Sequence, residues 1–235
     1  MHDRPPSPVA ALPHQVLAGR RAGTLGSSWR RALAGAIAFA AGSSAALAYT
    51  ATLTPAAPQT VYLQVGVGAF TANYISGGQP GNNTTINTVS ATVTTAAVGN
   101  GTAQAMTTNS TQTQSYWDGF TYCSVPGQLY IGGFYRTTGA TTAAARVTAT
   151  VPAALIDATG DTIPFSTISW TSSGNGDSGA EPFPAGTFVN GGVQTVGTMG
   201  SNTWNESCWT FSYSNAAAHP GGTYQGRVVY TLSSP

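Results

Sequence analysis

Lysine is missing from every position beyond residue 48, and charge of either sign is scarce, with Asp, Glu, Lys and Arg making up 6% of the chain. From residue 49 onward the basic side chains are Arg136, Arg146 and Arg227, with one histidine, His219. The acids there are Asp118, Asp157, Asp161, Asp177, Glu181 and Glu206, so three positive charges stand against six negative ones and the region carries −3. The whole-chain value of +1 comes from the first 48 residues. Such a domain has no basic patch for nucleic acid or acidic lipid. Without lysine it cannot form a lysine–asparagine isopeptide bond. With so few ionisable groups, its stability is expected to vary little between about pH 5 and 9.

Other shortages narrow the class further. Past residue 48 no apolar run approaches the ~20 residues needed to cross a bilayer, so no transmembrane segment is expected there. No window sustains a helical apolar period, and Ala216-Ala217-Ala218 is too short for more than one turn. A Gly-x-Ser-x-Gly elbow is absent, and His219 sits in the turn-like Ala218-His219-Pro220-Gly221-Gly222. The acids Asp157, Asp161, Asp177 and Glu181 lie in turn-like segments, where Asp is common for backbone reasons. An enzyme is therefore not expected, and neither is a cofactor. The closest approach to a metal loop is Asn175-x-Asp177-x-Gly179-x-Glu181, whose alternating oxygens suit Ca²⁺, but its length and spacing depart from an EF-hand. A solvated loop is the preferred reading.

What is present begins with an export signal. Residues 1–31 hold Arg4, Arg20, Arg21, Arg30 and Arg31 against Asp3, followed by an apolar run from Ala32 to Ala41 and the small-residue end Ala46-Leu47-Ala48. A positive start, a short apolar centre and a small-x-small end describe a secretory signal over 1–48, with cleavage before Tyr49. The remaining 187 residues (235 less 48) suffice for one domain with its own core. Residues 49–60 read as an extended lead-in, with Pro55 and Pro58 opposing helix. A single domain occupies 61–235. Threonine supplies 34 of those 187 residues, so hydroxyls and amides replace charge at the surface.

Val61–Phe70 alternates with the two-residue period of a half-buried strand, and so does Ala143–Val151. Further strand-like runs are Ile86–Val98, Tyr116–Ser124, Leu129–Thr137, Ile163–Trp170, Phe188–Met199, Thr203–Tyr213 and Thr223–Leu232. Asp157-Ala158-Thr159-Gly160-Asp161 is a hairpin signal. About nine short strands with Gly/Pro punctuation predict an all-β fold, an antiparallel β-sandwich of Ig-like or pilin-like type. Cys123 and Cys208, the two cysteines of an exported chain, are expected to pair. The 85-residue loop they close is worth roughly 4 kcal/mol as an upper figure.

Aromatic residues crowd into 116–135: Tyr116, Trp117, Phe120, Tyr122, Tyr130, Phe134 and Tyr135. Core and cross-strand packing is the preferred reading. The alternative is a sugar-stacking face built from Tyr116, Trp117, Tyr130 and Tyr135. The sequons at Asn82, Asn83, Asn100, Asn109 and Asn205 follow from an Asn- and Thr-rich composition.

The close of the chain, Cys208-Trp209-Thr210-Phe211-Ser212-Tyr213 and then Gly221-Gly222-Thr223-Tyr224 through Thr231-Leu232-Ser233-Ser234-Pro235, resembles the tail of bacterial surface β-sandwich proteins. It is similar to fimbrial and spore-coat-U-type subunits in its Gly-x-Tyr lead into an alternating terminal strand. It also resembles WxL surface domains, with Trp209-x-Phe211 standing where those have Trp-x-Leu. The resemblance implies a secreted, periplasmic or surface-displayed structural or adhesive protein. Its partners would be other copies, other surface proteins, or cell-wall and extracellular glycans. The rival expectation is a small secreted carbohydrate-binding module using the central aromatics.

Overall fold

The computed structural model describes residues 50–139, 141–174 and 180–235. The signal region 1–48 and the cleavage point before Tyr49 lie outside the described residues, as do Asn175 and Asp177. The described chain is nearly all β, and every ladder between its strands is antiparallel.

The long central strand organises the larger sheet. Numbered in chain order, it is β13 (Thr203–Tyr213), and it is hydrogen-bonded along both edges. One edge takes β1 (Thr50–Thr52) and β10 (Ile168–Ser173); the other takes β6 (Leu129–Arg136) and β4 (Gln104–Ala105). Beyond these, β2 (Thr60–Val65) pairs with β6, and β11 (Gly186–Thr187) with β10. The second sheet has β7 (Ala145–Val151) between β12 (Gly192–Met199) and β14 (Val229–Ser233). Two small ladders join β3 (Val89–Ser90) to β5 (Thr107–Thr108) and β8 (Ala154–Ile156) to β9 (Thr162–Pro164).

The two main sheets form a β-sandwich around one core. Along β7, Ala145, Val147, Ala149 and Val151 are buried while Arg146 and Thr150 are exposed, as a period of two requires. Facing them are Leu129, Ile131 and Tyr135 from β6, Ile168 and Trp170 from β10, and Trp209 and Phe211 from β13. Phe183, fully buried, plugs one side. Its carbonyl accepts from the Trp209 indole at 3.0 Å, and the Pro184 carbonyl accepts from the Trp170 indole at 2.9 Å. The terminal strand β14 completes this sheet in its own chain, with Tyr230 and Leu232 packed against the core.

Fourteen strands appear among the described residues where about nine were expected, because several are only two or three residues long. The hairpin expected at 157–161 forms between β8 and β9, with Asp157 Oδ1 accepting from the Thr159 and Asp161 amides. Two strand expectations are corrected. Tyr116–Ser124 is a turn: Ser115 Oγ accepts from the Trp117 amide, Asp118 Oδ1 from the Phe120 amide, and Gly119 has φ +83°. These local side-chain bonds outcompete a ladder. Ile86–Val98 contributes only the two residues of β3. Within the expected lead-in, Thr50–Thr52 form β1 and pair with β13, and Leu53 is 1% exposed.

The outcome is a third layer. Between β2 and β6, segments 70–78 and 113–123 lie as a roof over the outer face of the larger sheet, whereas β4 joins that sheet and Val89, Ala91 and Met106 pack against the sandwich core.

Candidate functional site

The outer face of that sheet, beneath the roof, gathers the unusual chemistry. On β13 the even positions Trp204, Glu206 and Cys208 point there, opposite to Trp209 and Phe211. Tyr130 and Phe134 of β6 and Tyr62 of β2 join them. The roof supplies Phe70, Tyr74, Tyr116, Trp117, Tyr122 and Cys123.

The roof is held by named contacts. The Tyr74 and Ile75 amides donate to the Tyr116 and Trp117 carbonyls at 2.8 and 3.0 Å. The Tyr122 and Cys123 amides both donate to the Thr113 carbonyl. Phe70 stacks on Tyr116 with centroids 5.5 Å apart, and Tyr74 on Trp117 at 5.2 Å. Cys123 and Cys208 form the expected disulfide, both fully buried, so the covalent tie runs from roof to central strand. Cys123 lies outside the strands, unlike the strand-to-strand tie its surrounding sequence suggested.

Glu206 sits at the centre with no exposed surface. Its Oε2 accepts from the Tyr130 hydroxyl at 2.6 Å and the Trp204 indole at 3.0 Å, while its backbone carbonyl accepts from the Tyr122 hydroxyl at 2.9 Å. The Ser115 side chain lies close enough to favour the carboxylate, yet Oε1 completes no hydrogen bond. Burial dominates and pushes the carboxyl up to about 7; the Ser115, Tyr130 and Trp204 donors pull it back, and the like charge of Asp118 adds to the rise. Tyr130 is held well above the usual phenol range, first by burial and then by Glu206. Gly132, directly opposite Glu206 in the β6–β13 register, leaves the space for this pair, since a Cβ there would collide with the Tyr130 ring. Against the expectation that stability varies little between about pH 5 and 9, this one buried carboxyl is pushed into that window.

The four stacking candidates do not form one platform. Tyr130 and Tyr135 are buried, on opposite faces of β6, and belong to different clusters. Tyr116 and Trp117 are half-buried and engaged in ring stacks, while Phe120 at the turn tip is 61% exposed. Packing accounts for most of the cluster. Of the calcium candidates, Glu181 is described, and its Oε2 accepts from the Ser207 hydroxyl at 3.0 Å. Among the described residues no group of three His, Cys, Asp or Glu side chains is placed to hold a metal. Asn205 is buried, its amide donating to Thr203, so this sequon is closed in the fold.

Two open hollows mark the surface. One of about 350 Å³ lies between Glu181, Pro182, Pro184 and the edge of β12; one of about 280 Å³ is lined by Phe70, Gln79, Pro80 and Tyr116 among others. Glu206 lines neither. Sequence reasoning missed Glu206 as a special residue. The signal was present: Trp204 and Cys208 on one parity and Trp209 and Phe211 on the other mean a strand buried on both faces, so an acid within it is buried too.

Among the described residues no helix is long and apolar enough to cross a membrane. No family model, curated protein or solved structure matches the chain.

Proposed function

We propose that this chain is an exported structural or adhesive protein, displayed at the cell surface or held in the envelope. The observation that carries the reading is the fully buried Cys123–Cys208 bond, which ties the roof to the central strand across 85 residues of sequence. Structural disulfides of this kind form and persist in oxidising compartments outside the cytosol. The arginine-rich, apolar, small-residue sequence of 1–48 supplies a route there.

The surface supports a contact role through hydroxyls and methyls in place of charge. Register across β12, β7 and β14 aligns Val193, Thr150 and Val229 in one row and Thr195, Thr148 and Thr231 in the next. The third row is Thr198, Arg146 and Ser233, with Arg146 the one charge among the nine residues. Such a face suits packing against another copy, another surface protein or an uncharged glycan. The carbohydrate-binding alternative rests on Tyr116 and Trp117 after the burial of Tyr130 and Tyr135.

Cell fractionation with thiol labelling tests the reading, paired with electron microscopy of the surface before and after gene deletion. The expected result is oxidised protein in the envelope or medium and a surface layer or fibre lost on deletion. Reduced protein confined to the cytosol would refute it. Binding in a glycan pull-down that is lost on Trp117→Ala would favour the alternative.

A further inference from the structure

Glu206 is a half-satisfied carboxyl in a sealed place: Oε2 has two donors, Oε1 has none, and the side chain has no exposed surface. It lies where the roof is fastened. Tyr122, one residue from Cys123, donates its hydroxyl to the Glu206 carbonyl, and Cys208, two residues along β13, carries the disulfide. We infer that Glu206 is a pH-sensitive latch: neutral, it lets the 113–123 part of the roof seat on the central strand, and ionised, it drives that part to open while the disulfide keeps it tethered. This goes beyond the proposed role and does not depend on it.

The groups around it allow this, since the Ser115, Tyr130 and Trp204 donors only partly offset the cost of burial. From β6 the facing group is Tyr130, and Arg136 lies at the far end of that strand, where its guanidinium donates to the Tyr74 hydroxyl. From β2 the titratable group is Tyr62, and from the roof Tyr116, Tyr122 and Asp118. Asp118 is a like charge, and the tyrosines are neutral donors. None of these groups is a cation placed on the carboxylate. An ionised Glu206 under the closed roof is a buried anion with one unsatisfied oxygen, the costly arrangement for a carboxylate. Opening gives both oxygens to water.

The sign follows. The carboxyl has its ordinary value of 4.5 when solvated and about 7 when buried, so the closed state binds the proton more tightly than the open one. The latch's contribution is complete below about 4.5 and is lost as pH rises through about 7. The gap of about 2.5 pH units corresponds to a closed-to-open ratio about 300-fold lower above pH 7 than below 4.5.

Hydrogen exchange by mass spectrometry on the oxidised protein, corrected for intrinsic rates, tests this between about pH 5 and 8. Opening of peptides covering 113–123 is expected to rise by up to about two orders of magnitude, while β7 and β12 in the second sheet change little. Glu206→Gln keeps an acceptor for Tyr130 and Trp204 and should make the profile flat, with the roof protected at pH 8. Tyr130→Phe removes a donor that favours the carboxylate, so its transition should move to higher pH; this variant and the wild-type profile decide the matter if Glu206→Gln does not fold. A wild-type roof with exchange independent of pH, or a folded Glu206→Gln protein with the wild-type pH dependence, overturns the inference.

Discussion

Removing the disulfide by the double substitution Cys123→Ala and Cys208→Ala is expected to cost a quarter or more of the domain's stability. The bond spans 85 residues, and loop closure of that length removes roughly 4 kcal/mol of unfolded-chain entropy at 25 °C. Marginally stable domains hold about 5–15 kcal/mol in all. For the 187 residues beyond the signal, an unfolding entropy of about 2.1 cal/mol/K per residue turns this into a fall in Tm of about 10 °C. The position adds a local consequence. Both sulfurs are buried between the roof and β13, so the roof loses its disulfide cross-link, while the core between the two sheets keeps its contacts. Guanidinium unfolding of the wild type and double variant, followed by tryptophan fluorescence, measures the loss. Hydrogen exchange then shows whether 113–123 opens ahead of β7 and β12. A variant that melts within about 2 °C of the wild type would refute the loop-closure reasoning. So would a loss spread evenly over both sheets with the roof as protected as before.

Other outcomes follow from single positions. Gly132→Ala puts a methyl against the Tyr130 ring opposite Glu206 and should cost about 1–3 kcal/mol in chemical denaturation, as overpacking does. Trp209→Ala empties a fully buried site in the sandwich core and should cost about 3–5 kcal/mol; a loss under 1 kcal/mol would contradict the packing described. Deleting 223–235 removes β14 with Tyr230 and Leu232 and should leave no cooperative melt, so a truncated monomer with native circular dichroism would show that the strand is dispensable. Burial raises the Tyr62, Tyr130 and Tyr230 hydroxyls, so their stabilising contribution is present below about pH 10 and falls as pH rises above it. In an ultraviolet titration these three of the ten tyrosines should ionise only as the protein unfolds.

The alternation of β7, the hairpin at 157–161, the terminal strand and the cysteine pair were legible in the sequence alone, because each follows from short-range periodicity, turn chemistry or elimination. An all-β antiparallel sandwich was legible for the same reason. Which strands become neighbours was decided only in three dimensions. β13 draws partners from residues 50, 104, 129 and 168 onward, and no local pattern encodes pairing across such separations. The aromatic run 116–135 looked uniform in sequence, but a turn at 115–120 and a strand from 129 send its rings to a roof, a sheet interior and a sandwich core. Glu206 shows the division most clearly. Its charge and its place in a strand belong to the sequence; its raised pKa depends on water being excluded by Tyr122, Tyr130 and Trp204, groups that meet only when the roof closes. Desolvation is a property of the surroundings in space, so the tertiary structure alone gave this acid its raised pKa.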